Sequence, residues 1–340
     1  MHGQRVGLTA RRLSLAALVV FSAGCVAAPP ATQPARKRLL LVTTSIGFRH
    51  PSAGFAGEVV RQLARASGEF EVVSTADDPD FPRYPDPQEW ETAGKADAGP
   101  PVVPPGGPPG GPPGGPPGLG APGGAGSPET LEKVRRVLAR YLSAKALQGF
   151  DAVVFVNTNG ELPLPDPQGF LEWIKAGHGY LGTHSASDTL HTLPGYAEML
   201  GGEFQVHGRQ AIVELHDDDA ASPMTVGFGG DSVVADDEWY LFGPGYDRSK
   251  VHSLYSMTAH PNQKTPGHYP VAWCRSYGKG RVFYTSQGHR FDIWDAHWVG
   301  SDGQRTNSAA AVDAFRASLL AGLRWVGGLV EADCTNGGGR

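Results

Sequence analysis

The strongest constraint on this chain is a series of short, wholly apolar segments separated by amphipathic ones. Residues 38–44 (RLLLVTT), 70–74 (FEVVS), 150–157 (FDAVVFVN) and 180–181 (YL) read as strands. Runs of this kind, apolar on both faces, suit a parallel sheet buried from both sides. Between them, residues 53–66 carry Phe55, Val59, Val60 and Leu63 at helical spacing, and residues 167–176 place Phe170, Leu171, Trp173 and Ile174 on one face. Ser127-Pro128-Glu129 is a helix start, with a capping serine, proline at the first position and an acid at the positive end; it predicts a helix to about residue 147. Strand, helix and strand alternate to Thr183, which predicts an α/β fold with a doubly wound, mostly parallel sheet. Such sheets bind ligands at the carboxyl ends of their strands. Arg49, His50, Asn157, Thr158 and His184 all fall just after strand ends.

One of these junctions has a shape of its own. Gly179-Tyr180-Leu181-Gly182-Thr183-His184-Ser185-Ala186 places small residues two before and two after His184. A strand ending in a sharp turn between small residues is a nucleophile elbow, which in hydrolases displays serine or cysteine. This one would display His184 over the sheet edge. The plainer alternative is an ordinary strand-to-helix junction with a solvent-facing histidine.

The two ends and one internal stretch differ from the rest. Arg5, Arg11 and Arg12 precede an apolar run, residues 13–21, of signal-peptide length. Ser22-Ala23-Gly24-Cys25 resembles a bacterial lipobox, so residues 1–25 are expected to be a lipoprotein-type signal peptide with Cys25 lipidated. Ser22 departs from the usual large aliphatic, which leaves plain secretion open. The expected location is the bacterial cell envelope, lipid-anchored, or the periplasm, with the membrane as a partner through the lipid. Residues 26–37 read as a linker. Residues 98–126 are a Pro/Gly tract without a collagen period, expected to be a disordered insertion. Residues 329–340 read as a flexible tail. Of three cysteines, Cys274 and Cys334 remain for one disulfide; sequence leaves the pairing open because it needs a distance. The net charge of −5 is mild and no basic patch stands out, so nucleic acid is not an expected partner.

The second half is richer in strands: residues 209–215, 252–257, 270–275 and 281–286, closed by an amphipathic helix over 309–326. Residues 201–207 read as a turn. Five motifs stand in order. They are Phe48-Arg49-His50, the 179–186 elbow, Gly201-Gly202-x-Phe204-x-x-His207, Asp237-Glu238-x-Tyr240, and residues 278–284 (GKGRVFY) with Gly288-His289. In that order they resemble the ThuA-like (trehalose-utilisation) family over about residues 38–328. The resemblance implies the class I glutamine amidotransferase-like superfamily, a flavodoxin-like sheet with additional C-terminal strands, and a link to trehalose-like or 3-keto sugars. The elbow carries His184 instead of cysteine, so glutamine amidotransferase activity is not expected.

Several chemistries suit these residues. Histidine is the usual acid/base group near neutral pH and a carboxylate can orient it. That assigns His184, His50, His289 and Glu238 to proton transfer on a sugar. Arg49, Asn157, Ser185, His207, Asp237 and Tyr240 are then candidates for holding the carbohydrate. No cofactor is expected on this reading. A divalent metal is a second one, since several histidines and an acid suit zinc or a similar ion. A third is structural, with histidines bonding backbone groups at strand ends. The enzyme assignment itself stays open against two alternatives: a non-catalytic sugar-binding lipoprotein, and an esterase using Ser185 with His289 as base. The Gly-x-Ser-x-Gly register that an esterase elbow needs is absent. His191, His216, His252, His260, His268 and His297 read as surface or loop residues. Trp239, Tyr240, Trp294 and Trp298 are aromatics that stack on sugars or fill a core.

Overall fold

The computed structural model describes residues 1–3, 35–46, 48–81, 128–243, 245–300 and 302–337. The expected signal peptide and lipobox with Cys25, the expected linker up to residue 34, and the 98–126 tract lie outside the described residues.

Among the described residues, the elements in chain order are β1 (Lys37–Val42), α1 (Ala53–Ser67), β2 (Phe70–Ser74), α2 (Pro128–Leu142), α3 (Ala144–Leu147), β3 (Ala152–Val156), α4 (Pro167–Lys175) and β4 (Gly179–Thr183). They continue with α5 (Pro194–Leu200), β5 (Phe204–His207), β6 (Ala211–Asp217), β7 (Ser232–Asp237), β8 (Tyr240–Phe242), β9 (His252–Ala259), β10 (Pro266–Tyr277), β11 (Gly280–Thr285) and α6 (Ala309–Val326). Nine strands form one sheet in the order β2-β1-β3-β4-β11-β10-β9-β6-β7, and β5 pairs with β8 separately. The pairs from β2 through β11 are parallel. From β11 outward every pair is antiparallel. The parallel part has the flavodoxin-like order, with the chain reversing direction across the sheet between β1 and β3.

The apolar runs explain this arrangement. All five residues of β3 and of β4 are buried. Leu39 and Leu41 of β1 face one core with α1 and α6, whereas Leu40 and Val42 face a second core with α2, α4 and α5. Each large aliphatic side chain buried this way contributes about 1.5–3 kcal/mol. Side chains cap two of the helices: Asp166 accepts from the Gly169 amide at the start of α4, and Ser308 from the Ala311 amide at the start of α6; Ser127, the cap expected before α2, lies outside the described residues.

Three expectations need revision. The helix expected to run to residue 147 breaks at Ser143, whose ψ of 152° is extended, leaving α2 and α3. Residues 201–207 hold a strand, β5, because Phe204, Val206 and His207 find partners in Phe242, Leu241 and Tyr240. The tail is docked: Cys334 is bonded to Cys274 of β10, Val330 and Ala332 pack on the core, and the Gly337 amide bonds the Val251 carbonyl. Among the described residues, no helix is long and apolar enough to cross a membrane.

Candidate functional site

The site stands where the parallel strands end, next to the reversal between β1 and β3. His50 follows β1, Asn157 follows β3, His184 follows β4 and His289 follows β11. Glu238 and Asp237 arrive from the turn between β7 and β8.

The elbow is real and tight. His184 has φ +46°, a left-handed conformation that costs a non-glycine residue about 1–3 kcal/mol and concentrates at functional sites. A Cβ on Gly182 would stand 3.0 Å from the Ala186 Cβ and 3.1 Å from the Tyr180 ring, so position 182 needs to be small. The turn is pinned from below. Tyr284 Oη donates to the His184 carbonyl at 2.7 Å, and Tyr196 Oη to the Ala186 carbonyl at 2.7 Å. The side chain does not project into solvent, however. His184 is fully buried because Tyr240, His50 and His289 close over it, with ring centroids at 4.2, 4.6 and 5.3 Å.

His184, His50, His289 and Glu238 each bring a donor atom into one cluster within 4.8 Å. His184 Nδ1 lies 2.8 Å from the Ser286 carbonyl, which can only accept; Nδ1 therefore carries a proton, and in the neutral ring the lone pair is on Nε2. That Nε2 lies 3.3 Å from His289 Nδ1 and 3.6 Å from Glu238 Oε2, and His289 Nδ1 lies 3.2 Å from the same oxygen. The other Glu238 oxygen meets His207 Nδ1 at 3.2 Å. His50 Nε2 is 3.4 Å from Tyr240 Oη, and its Nδ1 has no hydrogen-bond partner although the residue is 2% exposed.

Burial and charge set the protonation of the cluster. Burial opposes ionisation of Glu238, but His289, His184 and His207 outweigh it and hold the carboxyl well below its usual range. Burial and the neighbouring His184 and His289 push His50 well below the ordinary imidazole value. Burial also works against the His289 cation, yet the Glu238 charge and hydrogen bond raise it. Burial, followed by Glu238, drives the Tyr240 phenol far up.

The remaining candidates divide by what they touch. Asn157 is fully buried and spends its side chain inside: Nδ2 donates to the Gly288 carbonyl at 2.7 Å and Ser52 Oγ at 3.0 Å, and Oδ1 accepts from Thr183 Oγ1 at 2.8 Å. Asp237 accepts from the amides of Gly288 at 2.7 Å, Arg290 at 3.0 Å and Glu238 at 2.9 Å. Both residues position the loop that carries His289; neither offers a free group to a ligand. Ser185 is fully buried with an unpartnered hydroxyl, and His289 is engaged with His184 and Glu238 instead. Arg49 is half-buried, and the exposed Phe48 ring meets His50 edge-on at 4.8 Å. His207 is one-third exposed at its side chain.

Comparison with known proteins now adds the family. The family model described as "ThuA: Trehalose utilisation" matches residues 129–301, just over half of the chain. The chain belongs to the ThuA family. A ThuA-like protein from Parabacteroides merdae superposes with a TM-score of 0.53 at 17% identity, covering 88% of this chain and 93% of that one. A ThuA-like protein from Bacteroides uniformis gives the same score and identity, with 88% and 95% covered. At that identity the likeness is one of fold. No curated protein matches the sequence at a significant level. The ThuA match takes in His184, Glu238 and His289 and leaves His50, supplied by the first βα unit, outside it.

The pattern of residues within this ThuA chain hid some participants. Ser52 bridges Asn157 and the Gly288 carbonyl, but a lone serine before a helix carries no signal beyond capping. His191 and His252 were expected at the surface or in loops. His252 is instead buried and bonded to Asp219 at 2.8 Å; His191 is exposed in a turn, as expected, and joins Asp188 to Glu203. Trp239 and Trp294 belong to the core, and Trp298 stacks on Phe291.

Proposed function

We propose that this ThuA-family protein is an enzyme acting on carbohydrate, of the trehalose-like or 3-keto sugar class, at the His50–His184–Glu238–His289 cluster. The observation that carries this reading is the convergence of four donor atoms from four separate loops within 4.8 Å, one of them on a backbone held at φ +46°. A site that only holds sugar has no need of a strained, desolvated histidine or of a carboxylate ionised beneath the surface. The cluster suits activation of a sugar hydroxyl or carbonyl with movement of a proton, and Arg49, His207 and Phe48 at the half-exposed rim suit contacts to the rest of the sugar. The family description supports the substrate class.

Product analysis on trehalose, related disaccharides and their 3-keto forms tests the reading. Glu238→Gln and His184→Ala should lower turnover by about 10²–10⁴-fold, the usual contribution of a group that moves a proton. Wild-type protein that turns over no sugar, or variants that fold and keep full turnover, would sink it.

We also propose export with a lipid anchor at Cys25. The motif at 22–25 motivates it, and a disulfide between Cys274 and Cys334 supports an oxidising compartment. Mass spectrometry of the mature protein should find a lipidated N-terminus at residue 25; an unmodified mature chain beginning elsewhere removes the anchor.

A further inference from the structure

Three donor atoms of the cluster form a nearly regular triangle. Its edges are 3.3 Å from His184 Nε2 to His289 Nδ1, 3.2 Å from His289 Nδ1 to Glu238 Oε2, and 3.6 Å from His184 Nε2 to Glu238 Oε2. As hydrogen bonds two of the three are long, since good ones run about 2.7–3.2 Å. As the edges of a coordination polyhedron they fit. With bonds of about 2.0–2.2 Å from a first-row ion to imidazole nitrogen or carboxylate oxygen, neighbouring ligands of a tetrahedron stand about 3.3–3.6 Å apart.

Two further features point the same way. Metal-ligating histidines donate their second ring N–H to a carbonyl or carboxylate, which fixes the lone pair on the ligand nitrogen. His184 does so through Nδ1 to the Ser286 carbonyl at 2.8 Å. The ligand carboxylate has an outer charge partner: Glu238 Oε1 lies 3.2 Å from His207 Nδ1, whose own hydrogen bond goes to the Gly208 carbonyl at 2.9 Å, and Oε2 is left for the triangle. His50 supplies a fourth donor inside the same 4.8 Å cluster, and its Nδ1 is buried with no hydrogen-bond partner.

We propose that His184, Glu238 and His289, with His50 as the fourth donor, bind one divalent first-row transition ion. Three imidazoles and one carboxylate suit zinc, cobalt, nickel, iron or manganese; magnesium and calcium prefer all-oxygen shells. Binding stands on the donor geometry and is independent of any substrate. Its use, polarising a sugar oxygen that adds as a fifth ligand or takes the place of His50, rests on the carbohydrate reading above. With the ion bound, His207 is the rim group beside the ligand shell.

The test uses the untagged full chain, stripped with chelator and titrated with zinc by calorimetry and with cobalt by visible absorption. One equivalent of zinc should bind with a dissociation constant below about 1 μM, roughly −8 kcal/mol. Cobalt should give d–d bands that zinc abolishes. His207→Ala should weaken zinc by about 10–100-fold, the usual cost of losing an outer-shell partner. Glu238→Gln and His289→Ala should weaken it by more than that, and His216→Ala, outside the cluster, should leave it unchanged. Thermal unfolding of each variant separates lost binding from lost folding. No stoichiometric binding by folded wild type, or binding that survives a folded His184→Ala/Glu238→Gln double variant, overturns the proposal. Because the readout contains no sugar, tight zinc binding with no sugar turnover would fault the carbohydrate reading alone. Turnover that persists in chelator-stripped protein unable to bind zinc would fault the metal alone.

Discussion

In the parallel part of the sheet, four strands deliver site residues in the same way. His50, Asn157, His184 and His289 each lie in the loop after a strand's carboxyl end, after β1, β3, β4 and β11. In the antiparallel part, the contribution comes through a single turn, Asp237-Glu238 between β7 and β8, with β8 and β5 laying Tyr240, Phe204 and His207 against the cluster. The first part is a scaffold built on both faces by helices. The second has edge strands, a ribbon and a tail tied to β10. Donors with lone pairs come mainly from the scaffold, and the one ionised carboxylate comes from the addition. Neither part has the site alone: without Glu238 the histidines would face one another with no negative charge among them, and without the histidines a carboxylate only 8% exposed would have nothing to offset its burial.

The sharpest way to break this comparison is to loosen one part and watch the other. The Cys274–Cys334 bond closes a segment with a sequence separation of 60 that runs from β10 through β11 and α6, and it ties the tail to β10 on the antiparallel side. On the chain-entropy account a loop of that size stabilises by about 4 kcal/mol. Cys334→Ala should lower stability by up to that amount in denaturant titration. Hydrogen exchange should show β9 and β10 losing protection first while β1, β3 and β4 keep theirs. Equal loss across all nine strands would mean that the two parts unfold as one unit and that the division is only geometric.

The same division explains how much could be read from the residues. The parallel part was legible because its signals are local. Apolar runs buried on both faces, helical stripes and the small residues around His184 each act within a dozen positions. The end-of-strand rule then brought His50 and His184 together across more than a hundred residues of sequence. What the pattern could not supply was closure. His184 was expected to project over the pocket; it is buried because Tyr240 and His50 cover it, and that contact depends on β5 pairing with β8. A four-residue strand that begins after two glycines looks like a turn until its partner is known. Asn157 and Asp237 were expected to hold a ligand and instead hold the Gly288–His289 loop, because a polar residue at a strand end meets whichever backbone amides or carbonyls burial leaves unpaired. The tail was misread for a related reason. Its glycines look mobile, and the covalent bond that docks it connects to a strand far away in sequence.

A smaller effect joins the two parts directly. Asp188 ends the turn that begins at His184, and Glu203 immediately precedes β5. His191 lies between them, with Nε2 donating to Asp188 Oδ1 at 2.6 Å and Nδ1 donating to Glu203 Oε1 at 2.7 Å. Both ring nitrogens can donate only in the imidazolium form. The Asp188 hydrogen bond, opposed by partial burial and reinforced by Glu203, raises the His191 pKa from 6.5 to about 9. A folded-state pKa above the unfolded one favours folding while the group is protonated in both states, so this contribution is fully present below about pH 6.5. It is lost progressively as pH rises through about 9. Because the side chain is 39% exposed, solvent screens the pair and the effect on melting temperature should be modest. The gap in melting temperature between wild type and His191→Gln should be constant below pH 6.5 and shrink toward zero by about pH 9–10. Exchange at β5 and β8 should quicken over the same range while the parallel strands stay protected. A gap that does not change with pH would show that His191 is not clamping the elbow to the ribbon by charge.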